Sequence, residues 1–267
     1  MLQFLNAGEA ALALAKNAVA SAHKRHLLPE ANVTLLAPVP RPGKIICLGH
    51  NYYDHMGKDR TEPAEHPTFF CKTVNTVIGP GQAIVIPRAS QQVDYEAELA
   101  VVIGKRARHV TPDRALDVVA GYTILNDVSA RDYQKRTSQW MIGKSFDTFA
   151  PMGPALVTTD EIPDPHGLEL SLTVNDLEMQ RTNTRNMIFT IPRLIAYLSD
   201  VMTLEPGDII STGTPAKTSL AQSLPPFIKP GDKVKICIEG IGELFSPVVA
   251  EAEQLVAGEA MDGGRLS

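Results

Sequence analysis

The chain has 267 residues, 44% of them hydrophobic and 21% charged, and its 25 Lys and Arg against 30 Asp and Glu leave a formal net charge of −5. This composition supports a buried core and excludes disorder as the main state; the mild acidity excludes the basic footprint of a nucleic-acid or polybasic membrane binder and leaves a small-molecule partner as the expectation. No apolar run approaches the ~18 residues of a membrane span, and Glu9 and Lys16 interrupt the Ala- and Leu-rich start, so a cytoplasmic location is expected.

In chain order, Ala, Leu and Val recur at helical spacing over 9–22, just after Gly8, which predicts one peripheral helix. A short strand is expected over 33–36. Pro38, Pro40, Pro42 and Gly43 then form a connector, dividing the chain into a small N-terminal segment (1–40) and a catalytic domain (41–267). Beyond it, short apolar runs closed by turn residues predict strands over 44–48, 68–71, 83–86 and 95–103. Thr111 and Pro112 read as the cap and first turn of a helix reaching about 119. A strand over 121–128 follows, then a hairpin of 170–174 and 177–180 around Asn175-Asp176, and a helix over 192–202. Strands over 208–212, 233–238 and 243–248 complete a strand-rich α+β pattern, mostly antiparallel, with a tail after about 257 expected to be disordered. The 19 Gly and 20 Pro, spread without repeats, punctuate these short strands. Cys47, Cys71 and Cys237 lie far apart in apolar runs and read as buried thiols, not as a disulfide framework or a zinc site.

The informative segment is Asp94-Tyr95-Glu96-Ala97-Glu98-Leu99. Residues two apart on a strand share a face, so Glu96 and Glu98 stand side by side at the head of an apolar run. Asp127 ends a second apolar run and supplies a third carboxylate. A Glu-x-Glu pair alone also fits a solvated strand face. Against that reading stands the density of polar residues nearby: Arg131, Asp132, Gln134, Lys144, Ser145 and Asp147. Clustered carboxylates suppress one another's ionisation unless a cation compensates, and an incomplete set of hard oxygen ligands suits Mg²⁺, Mn²⁺ or Ca²⁺ but not zinc.

Six stretches in order resemble the fumarylacetoacetate hydrolase (FAH) family over about residues 41 to 250: Gly49-His50-Asn51-Tyr52-Tyr53-Asp54-His55, Phe69-Phe70-Cys71-Lys72, Tyr95-Glu96-Ala97-Glu98-Leu99, Asn126-Asp127-Val128-Ser129-Ala130-Arg131-Asp132, Gly143-Lys144-Ser145-Phe146-Asp147 and Thr212-Gly213-Thr214-Pro215. The resemblance implies a mixed β-roll catalytic domain and a homodimer. It places metal ligands on Glu96, Glu98 and Asp127, with Mg²⁺ or Mn²⁺ as the expected ion. It puts Lys144 near the reacting oxygen with Thr148 behind it, and His55 on a lid as the base that activates water. Asn51, Tyr52, Lys72, Arg131, Gln134, Gly213 and Thr214 would bind substrate. Two positions depart from the family pattern: Lys58 stands where a Glu commonly orients the lid histidine, with Glu62 the suggested substitute, and His50 stands where an Arg is frequent. The implied reaction is hydrolysis of a C–C bond in a 2,4-diketo acid such as an acylpyruvate, through an enolate held at the ion. Oxaloacetate decarboxylation, keto–enol isomerisation or hydration are the alternatives on the same machinery, and a non-catalytic metal-stabilised binding protein is a third.

Overall fold

The computed structural model describes residues 1–29, 32–56 and 62–251. Seven strands form a mixed sheet: β1 (Ile45–Gly49), β2 (Thr68–Lys72), β3 (Val77–Ile78), β6 (Ala97–Ile103), β7 (Val119–Asn126), β9 (Ala150–Thr158) and β12 (Ile209–Ser211), in the order β2-β1-β12-β6-β7-β9-β3. Five more, β4 (Ile84–Ile86), β10 (Glu169–Val174), β11 (Leu177–Asn183), β13 (Lys233–Ile238) and β14 (Gly242–Ala250), form a second sheet in the order β11-β10-β13-β14-β4. The short strands β5 (Val93–Asp94) and β8 (Ser129–Ala130) pair with each other. The helices are α1 (Leu2–Asn6), α2 (Gly8–Ala20), α3 (Arg131–Gln134), α4 (Met141–Lys144), α5 (Ile191–Val201) and α6 (Ser219–Ser223). The molecule is thus α+β and strand-rich, as its sequence predicts. Among the described residues no helix is long and apolar enough to cross a membrane.

Strand β6 is the spine, and each of its residues is buried. One face (Ala97, Leu99, Val101, Ile103) joins the cluster of Ile124, Leu170, Leu172 and Ile236 drawn from both sheets. The other (Ala100, Val102) packs with Cys47, Leu125, Ile209 and, from α1, Leu5. Burial on both faces explains why the run is apolar without alternation. In α5, Ile191, Leu194, Ile195 and Leu198 form one buried stripe at spacings of three and four, with Pro192 harmless in the first turn. Asn175 and Asp176 both adopt positive φ, 51° and 64°, the mirror-image turn that a two-residue hairpin loop requires.

Several expectations are corrected. The residues 33–36 are exposed and form no strand, because no sheet edge receives them. The 9–22 helix is found as α2, which ends at Ala20 and is peripheral as expected, with none of its residues buried; the unexpected element is the short helix α1 before it. The turn after Thr111 is a 3₁₀ helix, Pro112–Val118. Strand β9 was hidden by Pro151, Gly153 and Pro154; its ladder with β7 shifts register just beyond Gly153, where a proline costs no hydrogen bond. The pairings are mostly antiparallel as expected, with three parallel ones (β1·β12, β3·β9, β4·β14) added. Only Cys47 is a buried thiol: Cys71 is exposed on the outward side of β2, and Cys237 is half-buried. The tail after 257 lies outside the described residues.

The β7–β9 pairing gives a direct test. A Cβ on Gly121 would stand 2.0 Å from the Val157 carbonyl oxygen, a backbone atom. Gly121→Ala is expected to destabilise the fold by about 1–3 kcal/mol, the usual cost of overpacking, read as a lower urea midpoint; an unchanged midpoint contradicts this account of the sheet.

Candidate functional site

Strand pairing assembles the acidic group. In the antiparallel β6·β7 ladder Ala97 faces Asn126 and Glu98 faces Leu125, so the start of β6 meets the end of β7. The Asp127 N–H donates to the Glu96 carbonyl at 2.9 Å, and the Glu96 N–H donates to Asn126 Oδ1 at 3.0 Å. One oxygen each from Glu96, Glu98 and Asp127 consequently lies within 4.8 Å of the others, with all three residues buried.

Cations converge on two of the three acids. The Lys144 ammonium donates to Glu96 Oε2 and Asp127 Oδ2, both at 2.6 Å. Lys72 donates to Asp127 Oδ1 at 2.7 Å and to the Val128 carbonyl at 3.0 Å. Arg131 spans Glu96 Oε1 (2.6 Å) and Asp94 Oδ2 (2.9 Å), while Lys217 meets Asp94 Oδ1 at 2.8 Å. Burial alone would raise the Glu96 carboxyl, but Arg131 and Lys144 overcome it and hold that group well below the usual carboxylate range. Lys144 is the mirror case: burial would lower its pKa, and Asp127 and Glu96 raise it instead. At Lys72 burial wins and the pKa falls, with Asp127 opposing.

Glu98 differs. It is 1% exposed, and its Oε2 accepts from the Ser211 hydroxyl at 2.5 Å and the Gly213 N–H at 2.9 Å, but among the described residues it has no ion-pair partner. Burial, then Asp127 and Glu96, push its carboxyl well above the usual range. A buried acid lacking a countercharge beside two others is what a hard divalent cation would satisfy, so the donor set fits such an ion.

A cleft of about 680 Å³ opens on this group, lined among others by His55, Glu96, Arg131, Gln134, Lys144 and Thr214. Arg131 also donates to Gln134 Oε1 at 2.8 Å. His55 Nδ1 lies 3.0 Å from the Thr214 carbonyl oxygen. Four expected substrate residues sit behind the wall instead. Asn51 is buried, donating to Phe189 O and Thr212 O and accepting from Phe189 N–H, so its amide braces loops. Tyr52 is fully buried and bridges to Met187. Lys72 is committed to Asp127, and Gly213, at φ 95°, lends its N–H to Glu98. Thr148 accepts from the Val85 N–H and so supports β4. Glu62 is exposed; among the described residues no carboxylate reaches salt-bridge distance of His55, and Lys58 lies outside them. Asp94, Ser211 and Lys217 were missed. Asp94 lies within the Asp94-Tyr95-Glu96 stretch, whereas nothing local marks Ser211 or Lys217.

Because burial and the neighbouring acids favour the protonated form of Glu98 and a bound ion favours the ionised one, Mg²⁺ binding is expected to release protons and to tighten as pH rises. Calorimetry in buffers of different ionisation enthalpy measures that release, and Glu98→Gln should weaken binding and flatten the pH dependence. Binding heats that do not vary with buffer contradict this role for Glu98.

The Fumarylacetoacetate (FAA) hydrolase C-terminal family model matches residues 44–249. Human mitochondrial oxaloacetate tautomerase FAHD2A is 45% identical over 251 residues, covering 93% of this chain and 79% of the relative. Among solved structures, maleylpyruvate hydrolase from Sphingobium sp. SYK-6, in complex with manganese (II) ion and pyruvate, superposes with a TM-score of 0.79 at 36% identity, covering 94% of this chain and 85% of that one. The 5-carboxymethyl-2-hydroxymuconate delta-isomerase from Mycobacterium smegmatis superposes with a TM-score of 0.74 at 43% identity, covering 84% and 85%. With the motifs in order, the strand-built acidic triad and these likenesses together, the chain belongs to the fumarylacetoacetate hydrolase family.

Proposed function

We propose that this chain is a divalent-metal-dependent tautomerase that interconverts the keto and enol forms of a 2-oxo acid such as oxaloacetate. The observation that carries the reading is the pairing of two proton-handling groups in one cleft: the buried Lys144 ammonium beside the acids, and His55 with Nδ1 turned to a carbonyl. A carbonyl oxygen only accepts, so Nδ1 carries a hydrogen, the tautomer that leaves Nε2 as the position for a lone pair. That nitrogen would take a proton from C3 of the substrate. Lys144, whose neighbours keep it charged, would stabilise the negative charge that develops on the C2 oxygen. A bound Mg²⁺ or Mn²⁺, held by Glu96, Glu98 and Asp127, would act as a Lewis acid toward the substrate oxygens. The proton returns to oxygen, so no water and no second reactant is consumed. The 45% identity to an oxaloacetate tautomerase and the 43% identity to an isomerase support this reading.

The hydrolysis of an acylpyruvate is the second reading, favoured by the likeness to a maleylpyruvate hydrolase. It asks more of His55, which must activate water, a task for which related hydrolytic sites back the imidazole with a carboxylate. Decarboxylation of oxaloacetate uses the same acids and Lys144 and needs no activated water.

With Mg²⁺ present, the protein is expected to speed the decay of the oxaloacetate enol absorbance, and chelation should abolish the effect. His55→Ala should lower kcat by about 10²- to 10⁴-fold, the usual worth of a general base. An unaltered kcat removes His55 from the mechanism, and pyruvate release from acylpyruvates without tautomerisation moves the assignment to the second reading.

A further inference from the structure

Between the charged corner and His55 the cleft wall is built of rings. Phe70 turns its face to the Lys144 ammonium, 4.7 Å from the ring centre. Its ring meets Trp140 edge-to-face at 5.4 Å, Trp140 meets His50 at 5.6 Å, and His50 meets His55 at 5.6 Å. Leu48 and Phe227 extend the apolar lining. The arc therefore runs from one proton-handling group to the other. Its seat is built in: a Cβ on Gly49 would stand 2.5 Å from Trp140 Cζ3, so the indole lies against the β1 backbone only because residue 49 is glycine.

Size and charge point the same way. The cleft volume of about 680 Å³ lies within the ~300–1,000 Å³ of sites that enclose drug-sized ligands, several times what a four-carbon diacid fills. Lys144 and Arg131 already face Glu96, Asp127 and Asp94, and Lys135, another lysine of the lining, is exposed to solvent. Against the ring wall itself a second substrate carboxylate would find few donors beyond the imidazoles of His50 and His55, whereas an aromatic group there gains edge-to-face contacts and loses its hydration.

We propose that this wall is a subsite for the C3 substituent of the substrate, and that it makes the chain selective for 2-oxo acids bearing a bulky apolar or aromatic group, such as phenylpyruvate, over oxaloacetate. The substrate class rests on the tautomerase reading, but the subsite itself is a matter of binding and has its own readout. Trp140 is the single tryptophan of the chain, so its fluorescence reports occupancy of the wall whether or not turnover follows.

The test combines two measurements on the full chain with Mg²⁺. Trp140 emission is titrated with phenylpyruvate and with oxaloacetate, with N-acetyl-tryptophanamide correcting for ligand absorbance. Phenylpyruvate is expected to give a saturable change at a concentration at least tenfold lower. The ratio of kcat/KM for phenylpyruvate over oxaloacetate is then compared between wild type, Trp140→Leu and Gly49→Ala, and is expected to fall about tenfold in both variants, in the range of a lost apolar pocket contact. Because both substrates are measured on the same preparation, partial misfolding cancels in the ratio. Preferential phenylpyruvate binding without tautomerisation of either acid supports the subsite and overturns the tautomerase reading. Tautomerisation of oxaloacetate with ratios unchanged by Trp140→Leu and Gly49→Ala overturns the subsite and leaves the reaction standing. Emission that responds to neither acid also overturns the subsite.

Discussion

Three acids gathered in one buried corner disfavour one another's ionisation, and the centre of this molecule is arranged around that cost. Glu96, Glu98 and Asp127 are brought together by strand pairing, not by mutual attraction, so the ladder between β6 and β7 must outweigh their electrostatic cost. Lys144, Lys72 and Arg131 remove most of that cost for Glu96 and Asp127. Glu98 is left with a hydroxyl and a backbone N–H, which makes it the member of the trio most responsive to an added positive charge.

The same strand that gathers the acids also anchors the fold. The odd-numbered residues of β6 face the joint core of the two sheets, and the even-numbered ones continue from Glu98 into the smaller cluster with Leu125 and Cys47. Charge and apolar packing thus share a strand face, separated by a single residue step. Cys47 records the crowding: burial raises its thiol pKa, and Asp127 and Glu98 raise it further. Large-to-small changes in this cluster would therefore loosen the acids as well as the core.

How much of this could be read from the sequence follows from the range of the interactions. The triad was legible because period-two geometry is local: Glu96 and Glu98 are two apart, and Asp127 ends an apolar run. The hairpin at Asn175-Asp176 and the α5 stripe were legible for the same reason. The partners were not. Lys217 reaches Asp94 across 123 positions and Lys72 reaches Asp127 across 55, and no periodicity encodes such pairings. Strand β9 was concealed by prolines that a register shift makes harmless, and the 33–36 run misled because an apolar segment needs a receiving edge. Asn51 shows the remaining gap: family resemblance placed it near substrate, while its amide is spent on Phe189 and Thr212.

The acids hang on paired strands, whereas much of the cleft wall comes from connecting segments, with His55 on a short turn, Trp140 before α4 and Phe227 beyond α6, against Leu48 and Phe70 from strands β1 and β2. Backbone hydrogen bonds between β6 and β7 do not run through the side chains of those segments, so the ladder can tolerate substitutions in them. A lineage keeping this ladder can turn from isomerising to cleaving a substrate by editing a few loop positions, and the spread of reactions named among the relatives is what such a division of labour would leave behind.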